Sequence, residues 1–470
     1  LGLQPLIFED YAPDLDPLSP GACQDMGNVF PVEKGFRVLP ALAKLAGQLP
    51  ATCFGAFTAD LLGTPTIVAA TVDGLYLDVS GTFQPQVTGL MNTLNRWRFA
   101  GYGQDIIGVD GVDVPYYFRL SNGVWAVLPG APPVAAIVET TDWAVILVPP
   151  NSQEIWSNLS DTASWTPNLA AQVYRIDLTT IPGVITGAHR SRSLLAIYRQ
   201  QALQCGTFVG GQIGWDFGQP GTISLSVGVA GNECVINTGD FHYFVGPDDF
   251  WQFDGYNLSR VPNHCKEWFF RDLNQSFVAK IAGRYDVLRD LVIWHYPSTA
   301  SGAGALDSYI GFYQRTGKWF FGRLTIDLPM PTPVQNSLHA TTTPDSAVML
   351  PDHNLYVYDE LNAVRIVSGT FITSNDFGDR QSVWQTRRIR PGFTLYPTPS
   401  ASGAPPARVT PLNQMTLNGV APTPGTQVAI SDDGWANLLN TARLQRFRLD
   451  MYGIGEVAAG AVDLLQGGEV

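Results

Sequence analysis

Seven short apolar runs recur along this chain at a nearly regular step, each beginning after a turn. They are Thr66-Ile67-Val68-Ala69-Ala70, Ile106-Ile107-Gly108-Val109, Ala144-Val145-Ile146-Leu147-Val148, Leu194-Leu195-Ala196-Ile197-Tyr198, Tyr243-Phe244-Val245, Leu291-Val292-Ile293-Trp294 and Val348-Met349-Leu350. With Ile67, Ile106, Val145, Leu194, Tyr243, Val292 and Val348 as markers, the steps are 39, 39, 49, 49, 49 and 56 residues. After most markers an aromatic-rich run returns, as in Gly74-Leu75-Tyr76-Leu77, Pro115-Tyr116-Tyr117-Phe118 and Phe250-Trp251-Gln252-Phe253; the match is looser around Trp156 and Leu203. A further run carries Trp or Phe, as in Gly123-Val124-Trp125, Ala163-Ser164-Trp165 and Gly317-Lys318-Trp319-Phe320-Phe321. One unit therefore holds three or four strands. A sheet of that size cannot cover both of its apolar faces, whereas packing such sheets face to face around an axis covers them. The spacing predicts an all-β fold, a β-propeller of six or seven blades over residues 51–368. Tandem meanders folded into one large sandwich are the alternative.

Composition agrees with strands. Gly and Pro together make 81 of 470 residues, which calls for many turns and few long helices. Apolar recurrence at three or four predicts short helices only over Pro40 to Gln48, Gly89 to Arg96 and Gly434 to Arg443. Residues 1–50 are rich in Pro, Asp and Leu and read as an N-terminal extended arm lying on other surfaces. From Thr370 the period breaks. Ser382 to Arg390 is strand-like, Pro397 to Pro406 is a linker, and Gln445 to Tyr452 alternates, so residues 369–470 read as a small C-terminal β-sandwich-like domain.

The formal charge of −13 is unevenly placed. Residues 1–370 hold 20 basic and 33 acidic groups, while 371–470 hold 8 of each. Such a surface repels a phosphate backbone over most of its area, so the chain is not a nucleic-acid reader. Only five basic residues are Lys, and the abundant Arg suits planar contacts at interfaces. Arg380, Arg387, Arg388 and Arg390 form one group, and Arg443, Arg446 and Arg448 another. Alternate strand residues share a face, so Arg446 projects with Arg448 and Arg388 with Arg390. The pattern reads either as contact with acidic surfaces of neighbouring subunits or as solvated charge balancing the domain.

No constellation carries catalysis. Cys23, Cys53, Cys205, Cys234 and Cys265 form no CxxC pair and read as reduced core residues. The histidines His189, His242, His264, His295, His339 and His353 are scattered without metal-ligand spacing, and the neighbours His264 and Cys265 read as packed. Ser160-Asp161-Thr162-Ala163-Ser164-Trp165 lacks the Gly and spacing of a sialidase box and reads as a polar turn before a tryptophan. Asp110-Gly111-Val112-Asp113, Asp73-Gly74 and Asp254-Gly255 read as turns rather than calcium ligands. Gly210-Gly211-Gln212-Ile213-Gly214 reads as a loop, since it lacks the phosphate-loop ending, and no nucleophile elbow is present. No apolar run approaches a membrane span and the N-terminus lacks signal-peptide regions, so a soluble protein folding in a reducing compartment is expected.

Several segments resemble a known family. Asp14-Leu15-Asp16-Pro17, Gly21-Ala22-Cys23-Gln24-Asp25-Met26-Gly27-Asn28-Val29-Phe30-Pro31 and Gly35-Phe36-Arg37-Val38-Leu39-Pro40 are similar to the start of tail nozzle proteins, the tail tubular protein B family of short-tailed (podovirus) bacteriophages. Trp97-Arg98-Phe99-Ala100-Gly101-Tyr102-Gly103-Gln104-Asp105 and Phe250 to Tyr256 resemble blade segments of that family. The likeness spans most of residues 10–320 in short pieces, and the C-terminal part matches weakly. The resemblance implies a structural virion protein rather than an enzyme, with no cofactor and no catalytic or metal-binding residue. It implies a homohexamer below the portal and adaptor, with propellers as outer bulk and residues 369–470 as a platform contacting the ring. Its partners would be the adaptor protein and tail fibres. Double-stranded DNA would be retained in the lumen and then pass without specific binding during ejection. Assembly would occur in the host cytoplasm and the final location would be the phage tail. A receptor-binding propeller and a propeller glycoside hydrolase remain the alternatives.

Overall fold

Each of the seven marker residues lies in the second strand of its own four-stranded antiparallel sheet. The computed structural model describes residues 3–91, 95–150, 154–159, 162, 165–170, 172–335, 344–359, 370–378, 382–395, 407–414, 421–431, 433–451 and 455–469. Blade one runs from strand Gly55–Leu61 to Phe83–Thr88, blade two from Arg98–Tyr102 to Val124–Val127, and blade three from Ile137–Thr140 to Val173–Asp177. Blade four runs from Ile185–Ser191 to Gly214–Ser224, blade five from Val235–Asn237 to Leu258–Arg260, and blade six from Ala282–Asp286 to Trp319–Ile326. Their first strands contact one another in chain order around an axis. The aromatic-rich runs form third strands, such as Phe250–Phe253 and Leu306–Tyr313. Second strands such as Leu194–Arg199 and Leu291–Tyr296 are buried along their whole length, because neighbouring blades cover both faces.

Blade seven closes the ring by borrowing. Strands Leu328–Pro329, Ala347–Met349 and Leu355–Asp359 are joined by Ala41–Ala46, which precedes blade one in the chain. The seam is tied by Thr58, whose amide donates to the Thr332 hydroxyl at 3.0 Å, and by Cys53, whose amide donates to Asp327 at 3.3 Å. The helix expected over Pro40 to Gln48 is thus a strand. Leu45 is a bulge, since Leu355 faces Ala46 and Tyr356 faces Lys44, and the extra residue breaks the alternation that marks a strand. The helix expected over Gly434 to Arg443 is strand Ala436–Ala442 for the same reason. Thr386 faces Asn440 and Arg388 faces Asn437, with Leu439 at φ +47°. Within Gly89 to Arg96, residues 89–91, 95 and 96 are irregular and 92–94 lie outside the described residues. The α-helix that does form among the described residues is Lys266–Asp272, between blades five and six.

Residues 3–50 do not hang free. Leu3–Leu6 pairs with Gly455–Glu469, and the Val29–Val32 and Gly35–Val38 hairpin completes a six-stranded sheet with Ser382–Leu395, Ala436–Ala442 and Gly455–Glu469. Met26–Gly27 forms the edge of a seven-stranded sheet with Phe371–Thr373, Leu444–Met451 and Ala407–Gln414. The two sheets form a β-sandwich built from both ends of the chain. Gly35 is required where it stands, at φ +152°, because a Cβ would lie 2.1 Å from the Val457 carbonyl oxygen. One core joins the sandwich to blades five and six, running from Phe36, Phe447 and Val462 to Tyr11, Phe250 and Trp294. Asp14 fixes this joint. Its carboxylate accepts the Glu267 and Trp268 amides at 2.8 and 2.9 Å, at the N-terminus of helix Lys266–Asp272. The linker Pro397 to Pro406 lies outside the described residues.

Candidate functional site

The propeller axis holds a cavity of about 730 Å³, walled by first strands and the segments leading into them. Side chains cross it. The Arg98 guanidinium, from blade two, reaches the Glu233 carboxylate just ahead of blade five, with Nη2 3.1 Å from Oε2 and Nε donating to Oε1. Arg98 Nη1 also donates to the Ala136 carbonyl at 2.6 Å, ahead of blade three. Arg96 Nη2 donates to the Lys280 carbonyl at 2.8 Å, ahead of blade six. Blade two adjoins neither blade five nor blade six, so these links are struts across the axis. Burial opposes ionisation of Glu233, but Arg98 and then Arg96 outweigh it and hold the carboxyl at about 2.

One histidine, His189, lines the wall. His189 Nε2 lies 2.8 Å from the Asn232 carbonyl oxygen, and its Nδ1 lies 3.5 Å from Glu139. His242 sits behind it, with Nδ1 2.8 Å from the Tyr198 hydroxyl and Nε2 2.6 Å from the Arg190 carbonyl. Burial, with a lesser push from His189, lowers its pKa to about 3, so the ring is neutral. Between blades six and seven, Arg289 bridges Asp286 at 2.9 Å and Asp345 at 3.0 Å, all three buried. All five cysteines are buried and unpaired, and burial pushes the thiols of Cys53, Cys205 and Cys234 up to about 12. These thiols cannot form thiolates near neutral pH. Among the described residues no group of three or more His, Cys, Asp or Glu side chains is arranged to hold a metal ion. No helix among them is long and apolar enough to cross a membrane.

The motifs read from sequence fall where turns need them. Asp110 accepts the Val112 and Asp113 amides, Asp254 accepts those of Tyr256 and Asn257, and Asp73 accepts the Thr71 hydroxyl. Gly210 to Gly214 tips a hairpin between the last two strands of blade four. His264 gives its carbonyl to the Asp14 amide, and Cys265 is the buried cap residue of the helix. Of the Ser160 to Trp165 run only Thr162 and Trp165 are described: Trp165 is buried and donates to the Thr162 carbonyl, and the fourth strand of blade three forms later. Arg387 and Arg388 share Asp463 at 2.9 and 3.3 Å, and Arg388 lies 4.2 Å over the Trp435 ring. Alternating burial along Leu444–Met451 puts Arg446 and Arg448 on one face, where Arg446 pairs with Asp376 and Arg448 with Asp450, acids of their own chain. Arg380 and His339 lie outside the described residues. The axial struts escaped sequence reading, because nothing in Arg96, Arg98 or Glu233 marks them as neighbours before the ring closes.

No family model and no curated protein matches the chain. Among solved structures it is similar to the computationally designed Ika8 protein, at 9% identity over 67% of this chain and 99% of that one, with a TM-score of 0.37. The extracellular domain of BT4673 from B. thetaiotaomicron matches at 8% identity over 73% of this chain and 46% of that one, with a TM-score of 0.46. BamB from Moraxella catarrhalis matches at 11% identity over 72% and 94%, with a TM-score of 0.39. At these identities the likeness concerns the fold alone.

Proposed function

We propose that this chain is the subunit of a tail nozzle of a short-tailed bacteriophage, a structural protein that forms a homohexameric channel below the portal and adaptor. The observation that carries the reading is where the family-like segments lie. Asp14 caps the helix beside blade five, Asn28 accepts the Tyr309 hydroxyl of blade six at 2.8 Å, and Phe250 packs 4.5 Å from Trp319. These segments join propeller and sandwich through one shared core, which suits a wall under genome pressure. The struts across each propeller axis support a conduit between subunits rather than through one. An acidic chain supports passage without grip, since each phosphate held by Lys or Arg would add affinity to a sliding duplex. The Arg-bearing C-terminal strands of the sandwich, residues 371–470 with 8 basic and 8 acidic groups, would face ring neighbours or the adaptor.

Native mass spectrometry and electron microscopy of the purified chain test this. A sixfold ring with an acidic or neutral lumen is expected, and a ring with a basic lumen would refute the conduit. A second reading, a receptor-binding propeller, has one observation in its favour. Trp143 is 51% exposed and lies flat on Phe208, beside the Asp142 and Arg190 pair at 2.6 Å. A monomer whose glycan binding disappears in Trp143→Ala would favour that reading over the nozzle.

A further inference from the structure

Most polar groups on the wall of the axial cavity are matched, and the exceptions lie together at blade six. Arg98 takes up both oxygens of Glu233. Glu139, on blade three across the ring from blade six, accepts the Thr140 amide at 2.8 Å and faces His189. Asp60, the third acid of the wall, is exposed. Arg96 also lines the cavity, only partly buried, and its hydrogen bonding among the described residues is limited to the Lys280 carbonyl. Arg284, from the first strand of blade six, is a further lining residue and is 3% exposed. Its Nη1 makes no hydrogen bond, and Asp286, 3.6 Å away, is already held by Arg289 at 2.9 Å. Behind it the fully buried His295 pairs in register with Ala282, two residues from both Lys280 and Arg284. Arg284 Nε donates toward His295 Nε2 at 3.5 Å, which leaves the ring proton on Nδ1, and that nitrogen makes no hydrogen bond either.

This wall therefore carries donors in excess of acceptors. Burial lowers the pKa of Arg96 despite the pull of Glu233, and burial, then Arg284 and Arg96, hold that of His295 well below its ordinary value. Two guanidiniums thus act on one ring, and no acid offsets them there. A buried cation with unused N–H groups is costly until an acceptor joins it. We infer that the axial cavity binds a small oxyanion, of phosphate or carboxylate class, with Arg96 in direct contact and Arg284 completing a pair of guanidiniums on that wall. The planar fork of each guanidinium matches two oxygens of such an anion. The volume of about 730 Å³ lies within the range of small-molecule sites. Entry is from the face of the turns that join first to second strands. Gly103 and Gly239, in two of those turns, line the cavity, and a Cβ on either would meet nothing within 4 Å. The site belongs to a single propeller and holds whether or not copies assemble.

The test uses the full chain, dialysed into a chloride buffer and titrated calorimetrically with inorganic phosphate and, separately, with citrate, the ionic strength held constant with sodium chloride. One saturable site per chain is expected, and the anion that fills it decides between phosphate and carboxylate. Arg96→Gln is expected to weaken binding roughly tenfold or more, the loss of a hydrogen bond to a charged group, and Arg96→Lys to weaken it less. Arg192→Gln, at a side chain 53% exposed and outside the cavity, should bind as the wild type does. Melting temperatures without anion separate loss of the site from loss of the fold, and should Arg96→Gln not fold, the wild-type titration and Arg96→Lys decide. No saturable heat from either anion at millimolar concentration, or undiminished binding in a folded Arg96 variant, would overturn the site.

Discussion

Arg98 and Glu233 stand 135 residues apart in sequence and meet across the propeller axis, their carboxylate and guanidinium paired in two hydrogen bonds. The pair braces blade two against the approach to blade five, which the ring itself does not place side by side. Glu233→Gln is expected to lower unfolding free energy by roughly 1.5–3 kcal/mol at neutral pH, the range for hydrogen bonds to charged groups. The folded carboxyl titrates at about 2 against an ordinary 4.5. Its contribution is therefore complete above pH 4.5 and is lost as pH falls toward 2. Urea unfolding of both proteins at pH 7, 5 and 3 should show the gap narrowing, and a gap independent of pH would refute the ion pair.

His242 sets a second acid window. Its pKa of about 3 against an ordinary 6.5 means that the unfolded chain binds its proton first. Stability from this residue is complete above pH 6.5 and declines as pH falls to about 3. His242→Gln is expected to flatten that part of the melting temperature profile while still bonding to Tyr198. An unchanged slope between pH 6.5 and 4 would count against a neutral buried imidazole.

Trp294 anchors the blade five to six contact. It lies 5.3 Å from Phe250, stacks on Trp319 at 6.3 Å, and donates its indole N–H to the Cys234 carbonyl at 2.9 Å. Trp294→Ala is expected to remove about 3–5 kcal/mol, as large-to-small changes in packed cores do. Trp294→Phe should recover the part due to packing. Denaturant midpoints of the two variants check the order.

Asp14→Ala should destabilise by about 1 kcal/mol through loss of the helix cap, and Asp14→Asn should restore most of it. Equal losses in the two variants, read by chemical unfolding, would mean that the side chain acts through something other than capping.

Much of the propeller was legible because the second strands are buried on both faces. Runs such as Leu194 to Tyr198 and Leu291 to Trp294 carry no polar alternation to confuse their period. Ala41–Ala46 and Ala436–Ala442 were misread as helices because a bulge at Leu45 or Leu439 shifts the alternation by one and imitates helical spacing. The destination of residues 3–38 was illegible for another reason. Their partners lie in Ser382–Leu395, Leu444–Met451 and Gly455–Glu469, and no local pattern encodes a pairing between opposite ends of a chain. The axial struts share that limit: Arg96 and Glu233 become neighbours only through ring closure.

Because Leu3–Leu6 pairs with Gly455–Glu469, the order of synthesis matters. Leu3–Leu6 has no mate until residues 460–463 have been made, more than 450 positions later. Blades one to six can gather while that segment waits, but the six-stranded sheet completes only once residues 455–469 have emerged. The sandwich is therefore the last part of the fold to close, and it closes on a propeller already in place.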